Sequence, residues 1–534
     1  MARQPGPLRF LVIGAGQRGT AYGKAVTNAT EGIIYAVAEP NNETRQRFGR
    51  KYVWGEKQPA IGQEFEDWKS WLDWEEDRRS RLEDPSSSTD IGVDGVFICT
   101  LDSSHLEIVQ AIAHLNLHIM CEKPLALSLT DILLASSAIT DASPTSPLPS
   151  KIFSIGHVLR YSPHNQLLRK LLLTDRVIGD IISLEHTEPV GWSHFAHSYV
   201  RGNWRRETSI GDGSLLTKCC HDIDFILWLL CSPPPGAAVD YPEHLPRTIT
   251  STGMLSQFTK ANKPVAAGDS TNCLSCPIER DCIYSSVKIY NDLCLAKGST
   301  GFPAHNVYPE IEDILSKHGM ETAKKNLLDI LAQDYDIKKT HDEDIASRPW
   351  YGRCVYESDN SVCDDQFVTI SWGSDPIPHG RDIGSDSNTQ SPLGGRGPKL
   401  ATLHMVAPTE SQCVRRGRIS GTLGEITYDG ETISIFTFGT GVTKKHFVAP
   451  PPPEEAESHG GGDYGLTRAF VMAVDSVENK RWDVKKAQVE ILGCTLEEAI
   501  RSHAVVFAAE EARRGERVIN WKDWWANKTS QMLN

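Results

Sequence analysis

No apolar run in the 534-residue chain approaches the ~20 residues a membrane-spanning helix needs, and Met1 to Phe10 lacks the apolar core of a secretion signal. The expectation is a soluble, cytoplasmic protein with no membrane partner. Positive charge is also short: 55 Lys+Arg stand against 69 Asp+Glu, a net of −14, so no global field gathers phosphate backbones and nucleic acid is excluded as the main partner. Thirteen cysteines in this length are too few for a disulfide scaffold and imply free thiols in a reducing compartment. No internal repeat is apparent. What is present is an average globular composition, 40% hydrophobic and 23% charged, which excludes a disordered or fibrous chain. At roughly 150 residues per domain the length allows about three domains, or two larger ones.

Strand and helix patterns alternate through the first part of the chain. Leu8 to Ile13 is a short apolar run ending in Gly14-Ala15-Gly16-Gln17-Arg18-Gly19, after which Ala21 to Val26 reads as a helix. Ile33 to Ala38 is a second strand ending at Glu39; Val93 to Cys99, the helix Leu106 to Leu115 and the strand His118 to Cys121 continue the alternation. Such alternation predicts α/β architecture, a doubly wound parallel sheet, over residues 1–150. The charged, Trp-rich stretch between Gln58 and Asp90 reads as an insertion at the sheet edge, and Thr140 to Ser150 as a linker.

Residues 151–534 predict a second, sheet-rich domain. Lys151 to His157, Ile178 to His186, Val368 to Trp372, Leu400 to Val406, Gly417 to Tyr428 and Thr432 to Phe438 have strand character; Asp212 to Leu230 and Leu496 to Arg514 read as long helices. A cysteine-containing insertion falls around 262–365, and Ser374 to Gly397 and Pro450 to Gly462 read as Gly/Pro/Ser-rich loops.

In the glycine turn the first glycine permits a tight bend, the second lets main chain approach a pyrophosphate, and the third lets helix and strand pack closely, while the helix N-terminus offers unpaired N–H groups. Here the pattern follows a strand, opens a helix and precedes an acidic strand end at Glu39, the context that a dinucleotide site requires. Glu39 can accept hydrogen bonds from a ribose 2′-hydroxyl and would repel a 2′-phosphate, which favours NAD, with NADP left open. Arg45 and Arg47, a little downstream, are within reach of a phosphate in principle, but read first as solvated helix charges.

Glu122-Lys123-Pro124 after the strand His118 to Cys121, with Ile98-Cys99-Thr100 and His105 before it, resembles the signature of the Gfo/Idh/MocA oxidoreductases, as does the glycine turn. The likeness extends through Gly156-His157-Val158-Leu159-Arg160-Tyr161, His197 to Trp204, Lys218 to Asp224 and Gly461-Gly462-Asp463-Tyr464. The resemblance implies a doubly wound Rossmann domain, a second α/β domain over 151–534 whose large open mixed sheet packs into a homodimer or homotetramer, and oxidation or reduction of sugars, cyclitols or related polyols with NAD or NADP. It implies cofactor contacts from Gly14, Gly16, Gln17, Arg18, Gly19, Glu39, Thr100, His105, Glu122 and Lys123, and catalytic work by Lys123 and His221.

Hydride transfer from a carbinol carbon leaves a hydroxyl proton for a base, work that suits a lysine beside a cofactor and an imidazole. Many relatives carry an acidic residue four positions before the histidine; here that position is Thr217. Lys218, on a shared helical face with His221, is expected to replace it as a third catalytic group, each lowering the other's pKa. Asp224 is expected to orient the His221 ring or to lie on the helix surface. Substrate-side candidates are Arg160, Tyr161, His197, Arg201 and Trp204, with His157, Glu188, Trp192 and His194, a polar and aromatic set suited to polyols.

Cys273-x2-Cys276-x5-Cys282, completed by Cys354, has the ligands of a structural zinc site or an iron–sulfur cluster; unconnected free thiols are the alternative. The vicinal Cys219 and Cys220 are expected to pack in the core. Three functions remain open: an NAD(P)-dependent oxidoreductase acting on CH–OH groups, an NAD-retaining glycoside hydrolase of the same family, and a non-catalytic dinucleotide-binding sensor.

Overall fold

A computed structural model of the protein describes residues 6–82, 91–141, 149–208, 213–238, 241–376, 395–410, 412–456 and 459–530. Most of the expected linker and of the 374–397 loop lies outside them. Strands β1 (Arg9–Ile13), β2 (Ile33–Ala38), β3 (Glu64–Phe65), β4 (Gly95–Ile98), β5 (His118–Cys121) and β6 (Phe153–Ile155) form one sheet in the order β3-β2-β1-β4-β5-β6, every pair parallel. Helices cover both faces, so β4 and β5 are buried throughout and need no polar alternation. The sheet runs through Ile155, past the boundary expected near 150. One of its covering helices, Gly462–Glu478, comes from near the other end of the chain: Phe470 packs against Phe10 and Phe97. The Trp-rich segment supplies edge strand β3 and the helix Trp68–Leu82, anchored by fully buried Trp71.

The second sheet contains β7 (Ile181–Pro189), β8 (Thr248–Met254), β9 (Asp365–Trp372), β10 (Lys399–Val406), β11 (Arg416–Gly421), β12 (Gly424–Tyr428), β13 (Thr432–Thr437), β14 (Val442–Phe447) and β15 (Ile519–Asn520). Its order is β14-β13-β12-β11-β7-β10-β9-β8-β15, with β7 and β10 parallel and the other pairs antiparallel. The single strand expected over 417–428 is a hairpin, turning at Thr422-Leu423. Strands β8 and β14 escape a reading by pattern because β14 is mostly exposed and β8 is rich in Thr and Ser.

The helices Cys220–Leu230 and Leu496–Arg514 lie almost wholly in the core, the second opened by a capping box between Thr495 and Glu498. The expected helix 212–230 is broken: Ser214–Thr217 and Cys220–Leu230 are separate, with the bend at Lys218 and Cys219. Between β8 and β9 the chain builds a subdomain with its own apolar cluster, including Tyr290, Leu295, Ile311, Leu327 and Leu331.

Candidate active site

The glycine turn leaves β1 and enters the helix Gln17–Ala29. Gly14 has φ +87°, and a Cβ there would sit 2.8 Å from the Cys99 carbonyl oxygen; at Gly19 it would sit 2.1 Å from the Gly14 carbonyl oxygen. Those two glycines are dictated by packing. Gly16 differs, since nothing lies within 4 Å of its Cβ position. The open side of the turn is therefore at Gly16, where a pyrophosphate must approach main chain, and no acidic side chain stands in the first helical turn. At the end of β2 the Glu39 carboxylate accepts from Ala15 N at 2.8 Å and Asn41 N at 2.9 Å, which fixes it beside the turn. The residues present fit a dinucleotide: backbone donors for phosphates and a carboxylate acceptor for a ribose.

Several expected cofactor ligands support this cradle from behind. Arg18 donates to Glu122 at 2.8 Å and Asp463 at 2.6 Å, and the Tyr22 hydroxyl donates to Glu122 at 2.5 Å. Burial pushes the Glu122 carboxyl up, but Arg18, Lys123 and Tyr22 outweigh it and hold the group ionised. Glu122 thus ties the turn to the Lys123 loop. His105 bridges the carbonyls of Pro124 at 2.7 Å and Thr100 at 3.2 Å and is 1% exposed, so it latches two loops and has no free edge for a cofactor.

Lys123 Nζ donates to the Thr217 carbonyl at 2.9 Å, which brings the end of the first sheet against the segment carrying His221. His221 is 5% exposed, and its Nδ1 has no hydrogen-bond partner among the described residues. Burial, then Lys123 and His459, hold its pKa well below the ordinary imidazole value, so the ring is neutral. His459 is the residue that sequence reasoning missed. Its ring centroid lies 5.8 Å from that of His221, and its Nδ1 lies 3.1 Å from Asp463, the partner of Arg18. The only sequence signal was its place beside Gly461-Gly462-Asp463.

Lys218 does not pair with His221. The helix break turns it toward Cys413, with Nζ 3.0 Å from Sγ, and toward Glu188 Oε1 at 3.3 Å. Burial lowers its pKa, yet Cys413 and Glu188 raise it further, so it is held as an ammonium, the reverse of the expected neutral base. Arg415 closes the cluster, reaching Glu188 at 3.1 Å and Asp222 at 2.6 Å. The second-domain wall beside Thr217 thus carries a Lys218–Glu188–Arg415 array, with His194 Nδ1 3.6 Å from Cys413 Sγ.

Other expected substrate residues are structural. Arg160 spends its donors on Asp224 at 2.8 and 2.7 Å and on the Gly493 carbonyl at 3.1 Å, and Tyr161 donates to the Leu492 carbonyl at 2.8 Å. Asp224 therefore neither orients His221 nor lies on the surface: it is buried against Arg160 and Ser502. Arg201 is 1% exposed and donates to the carbonyls of Arg353 and Tyr284. His197 pairs with the Tyr290 hydroxyl at 3.0 Å and stacks on Tyr351. Trp204 stays near the cleft, donating to Asp102 beyond β4 at 3.0 Å.

Among the described residues no group of His, Cys, Asp and Glu is arranged to hold a metal. The expected zinc or cluster site at Cys273, Cys276, Cys282 and Cys354 is corrected by Arg201. Its Nη2 lies 3.4 Å from Cys273 Sγ, and its pKa, lowered by burial, is raised overall by Cys273, Tyr290, Cys354 and Cys282. A guanidinium already stands among these thiols, and a second cation would meet its repulsion. Cys219 and Cys220 are fully buried, as expected.

The parallel sheet and the glycine cradle define a dinucleotide-binding fold, with Lys123 and the His221 segment adjoining its open end. Residues 8–140 match the oxidoreductase family's NAD-binding Rossmann fold, and residues 170–245 match its C-terminal alpha/beta domain. The two matched segments are thus similar to the two domains of the Gfo/Idh/MocA oxidoreductases. It is 32% identical over 142 residues to 2,7-anhydro-N-acetylneuraminate hydratase of Escherichia coli, covering 27% of this chain and 35% of that one. It is 32% identical over 125 residues to myo-inositol 2-dehydrogenase of Thermotoga maritima, covering 23% and 30%. The match thus spans about a third of these relatives' length. Among solved structures, levoglucosan dehydrogenase with NADH and levoglucosan aligns over 96% of this chain and 99% of its own at a TM-score of 0.53 and 16% identity. An inositol dehydrogenase homologue with NAD+ from Azotobacter vinelandii covers 97% and 98% at a TM-score of 0.57 and 11% identity. These two establish likeness of fold.

Proposed function

We propose that the protein is an NAD-dependent oxidoreductase that moves a hydride between nicotinamide and a carbinol carbon of a sugar, cyclitol or related polyol. The observation that carries this reading is one continuous arrangement. Backbone at Gly16 is open to a diphosphate, Glu39 marks the ribose end, and Lys123 and His221 face each other's segments at the opposite end. Bound nicotinamide supplies the hydride chemistry. The protein's residues manage the proton: Lys123 Nζ donates to a substrate hydroxyl, and neutral His221 accepts the proton that this oxygen gives up. Lys218, Glu188 and Arg415 line the second wall with fixed charges that orient hydroxyls rather than take protons. Glu39 favours NAD over NADP because its carboxylate repels a 2′-phosphate. The named relatives include enzymes of inositol and of anhydro-sugars, which supports a polyol substrate class.

The test is spectrophotometric. Purified protein with NAD and a panel of sugars, cyclitols and anhydro-sugars should produce NADH with at least one of them, and Lys123→Met should abolish that signal while nucleotide still binds. Absence of any nucleotide affinity in folded protein would remove the reading.

A further inference from the structure

The subdomain between β8 and β9 is unexplained by the activity proposed, yet one stretch of it touches both ends of the cleft. At the substrate end the Phe302 ring packs edge-on against His194 and His197, with centroids 5.2 and 5.1 Å away. Eight and eleven residues on, at the opposite end, Glu310 Oε1 accepts from Asn41 Nδ2 at 3.5 Å and Asp313 Oδ2 lies 3.3 Å from Arg47 Nη1. Asn41 caps the helix Asn42–Tyr52 and gives its backbone N–H to Glu39, so these contacts fall on the edge of the ribose end. Phe302 to Asp313 therefore runs from the second-domain wall to the adenosine side of the first sheet.

We infer that residues 302–313 form the outer wall of the dinucleotide site and retain the cofactor between turnovers. This rests on the proposed NAD reading. The stretch is backed by folded structure on its outer side: Ala304, Val307, Tyr308 and Ile311 are buried in the subdomain's apolar cluster, and Asn326 donates to the Tyr308 hydroxyl at 2.9 Å. The subdomain is fixed in turn to the second domain through His197 and Tyr290. Release of a dinucleotide past such a wall requires the Asp313–Arg47 and Glu310–Asn41 contacts to open, and with them the packing of Phe302 on two histidines. His305, between the anchors, has its pKa lowered by burial and then by Arg47, consistent with its lying close over the same helix. Retention also fits the redox-neutral alternative, in which the nucleotide is reduced and reoxidised without leaving.

The experiment uses full-length protein and NADH as the probe. Release of bound NADH is followed by fluorescence after mixing with excess NAD, for the unmodified protein and for the double variant Glu310→Lys, Asp313→Lys, which sets like charge against Arg47. The expected result is slow release, accelerated at least tenfold in the variant. In parallel, amide hydrogen exchange of the unmodified protein is compared with and without NADH, and residues 302–313 should gain protection. This second measurement holds even if the variant fails to fold. Binding of NADH with rapid release and no added protection at 302–313 overturns the inference and leaves the oxidoreductase reading intact. Failure of NADH to bind overturns both.

Discussion

The two walls of the cleft are made of different materials. The first-domain wall is main chain: Gly14, Gly16 and Gly19, the start of one helix, and the carboxylate at the end of the next strand, all within about one βαβ unit. The second-domain wall is side chain, gathered from β7, the bend at Lys218, the Cys413–Arg415 turn and His459. A site built from backbone is local, so its spacing is constrained residue by residue. A site built from buried charges needs only that each ion meet a partner, and the partner can come from anywhere.

The sharpest break of the comparison is Gly19→Val. Its Cβ cannot coexist with the Gly14 carbonyl 2.1 Å away, so calorimetric NADH affinity should be lost beyond detection. At the side chains between the two walls, Lys123→Met and His221→Asn should lower kcat by about 10²–10⁴-fold with NADH affinity almost unchanged, read by steady-state kinetics and equilibrium fluorescence. Because burial and nearby cations hold His221 neutral, the pH profile of kcat/KM should show no acid limb at the ordinary imidazole value of about 6.5.

Asp224→Ala should cost about 3–5 kcal/mol in urea unfolding, since it strands Arg160 in the core. Burial pushes Asp224 up, but Arg160 and His157 bring it down to about 2. A carboxylate lowered in the folded state stabilises above its unfolded value of about 3.9, and that stability is lost as pH falls through about 2. Unfolding midpoints measured from pH 5 to pH 2 should show the loss in the native protein and not in the variant. The smallest expected effect is Glu39→Ser, which should weaken NAD by roughly tenfold, the scale of one hydrogen bond to a charged group, and narrow the preference over NADP.

Legibility follows the same division. Strands β1, β2, β4 and β5 and the helix Leu496–Arg514 are read within two residues of their ends because apolar runs and their periodicity are local signals. Arg160 and Arg201 look like substrate ligands in a motif list because a cation in a polar-aromatic stretch has the right chemistry. Only packing shows that Asp224 and the carbonyls of Arg353 and Tyr284 have already engaged them. Lys218 and His221 share a face in an unbroken helix, and the bend at Cys219 separates them.

The sequence by itself determined the alternating first sheet, the dinucleotide cradle and its acidic end, since each depends on short-range backbone geometry that particular residues at fixed spacing permit. Tertiary structure decided which charges are spent and which are open. It delivered His459 to His221, turned Lys218 toward Glu188, placed Arg201 among the cysteines, and laid residues 302–313 along the cleft. Those outcomes depend on electrostatic partners tens to hundreds of positions apart, and a buried ion's state is set by what surrounds it rather than by its neighbours in the chain.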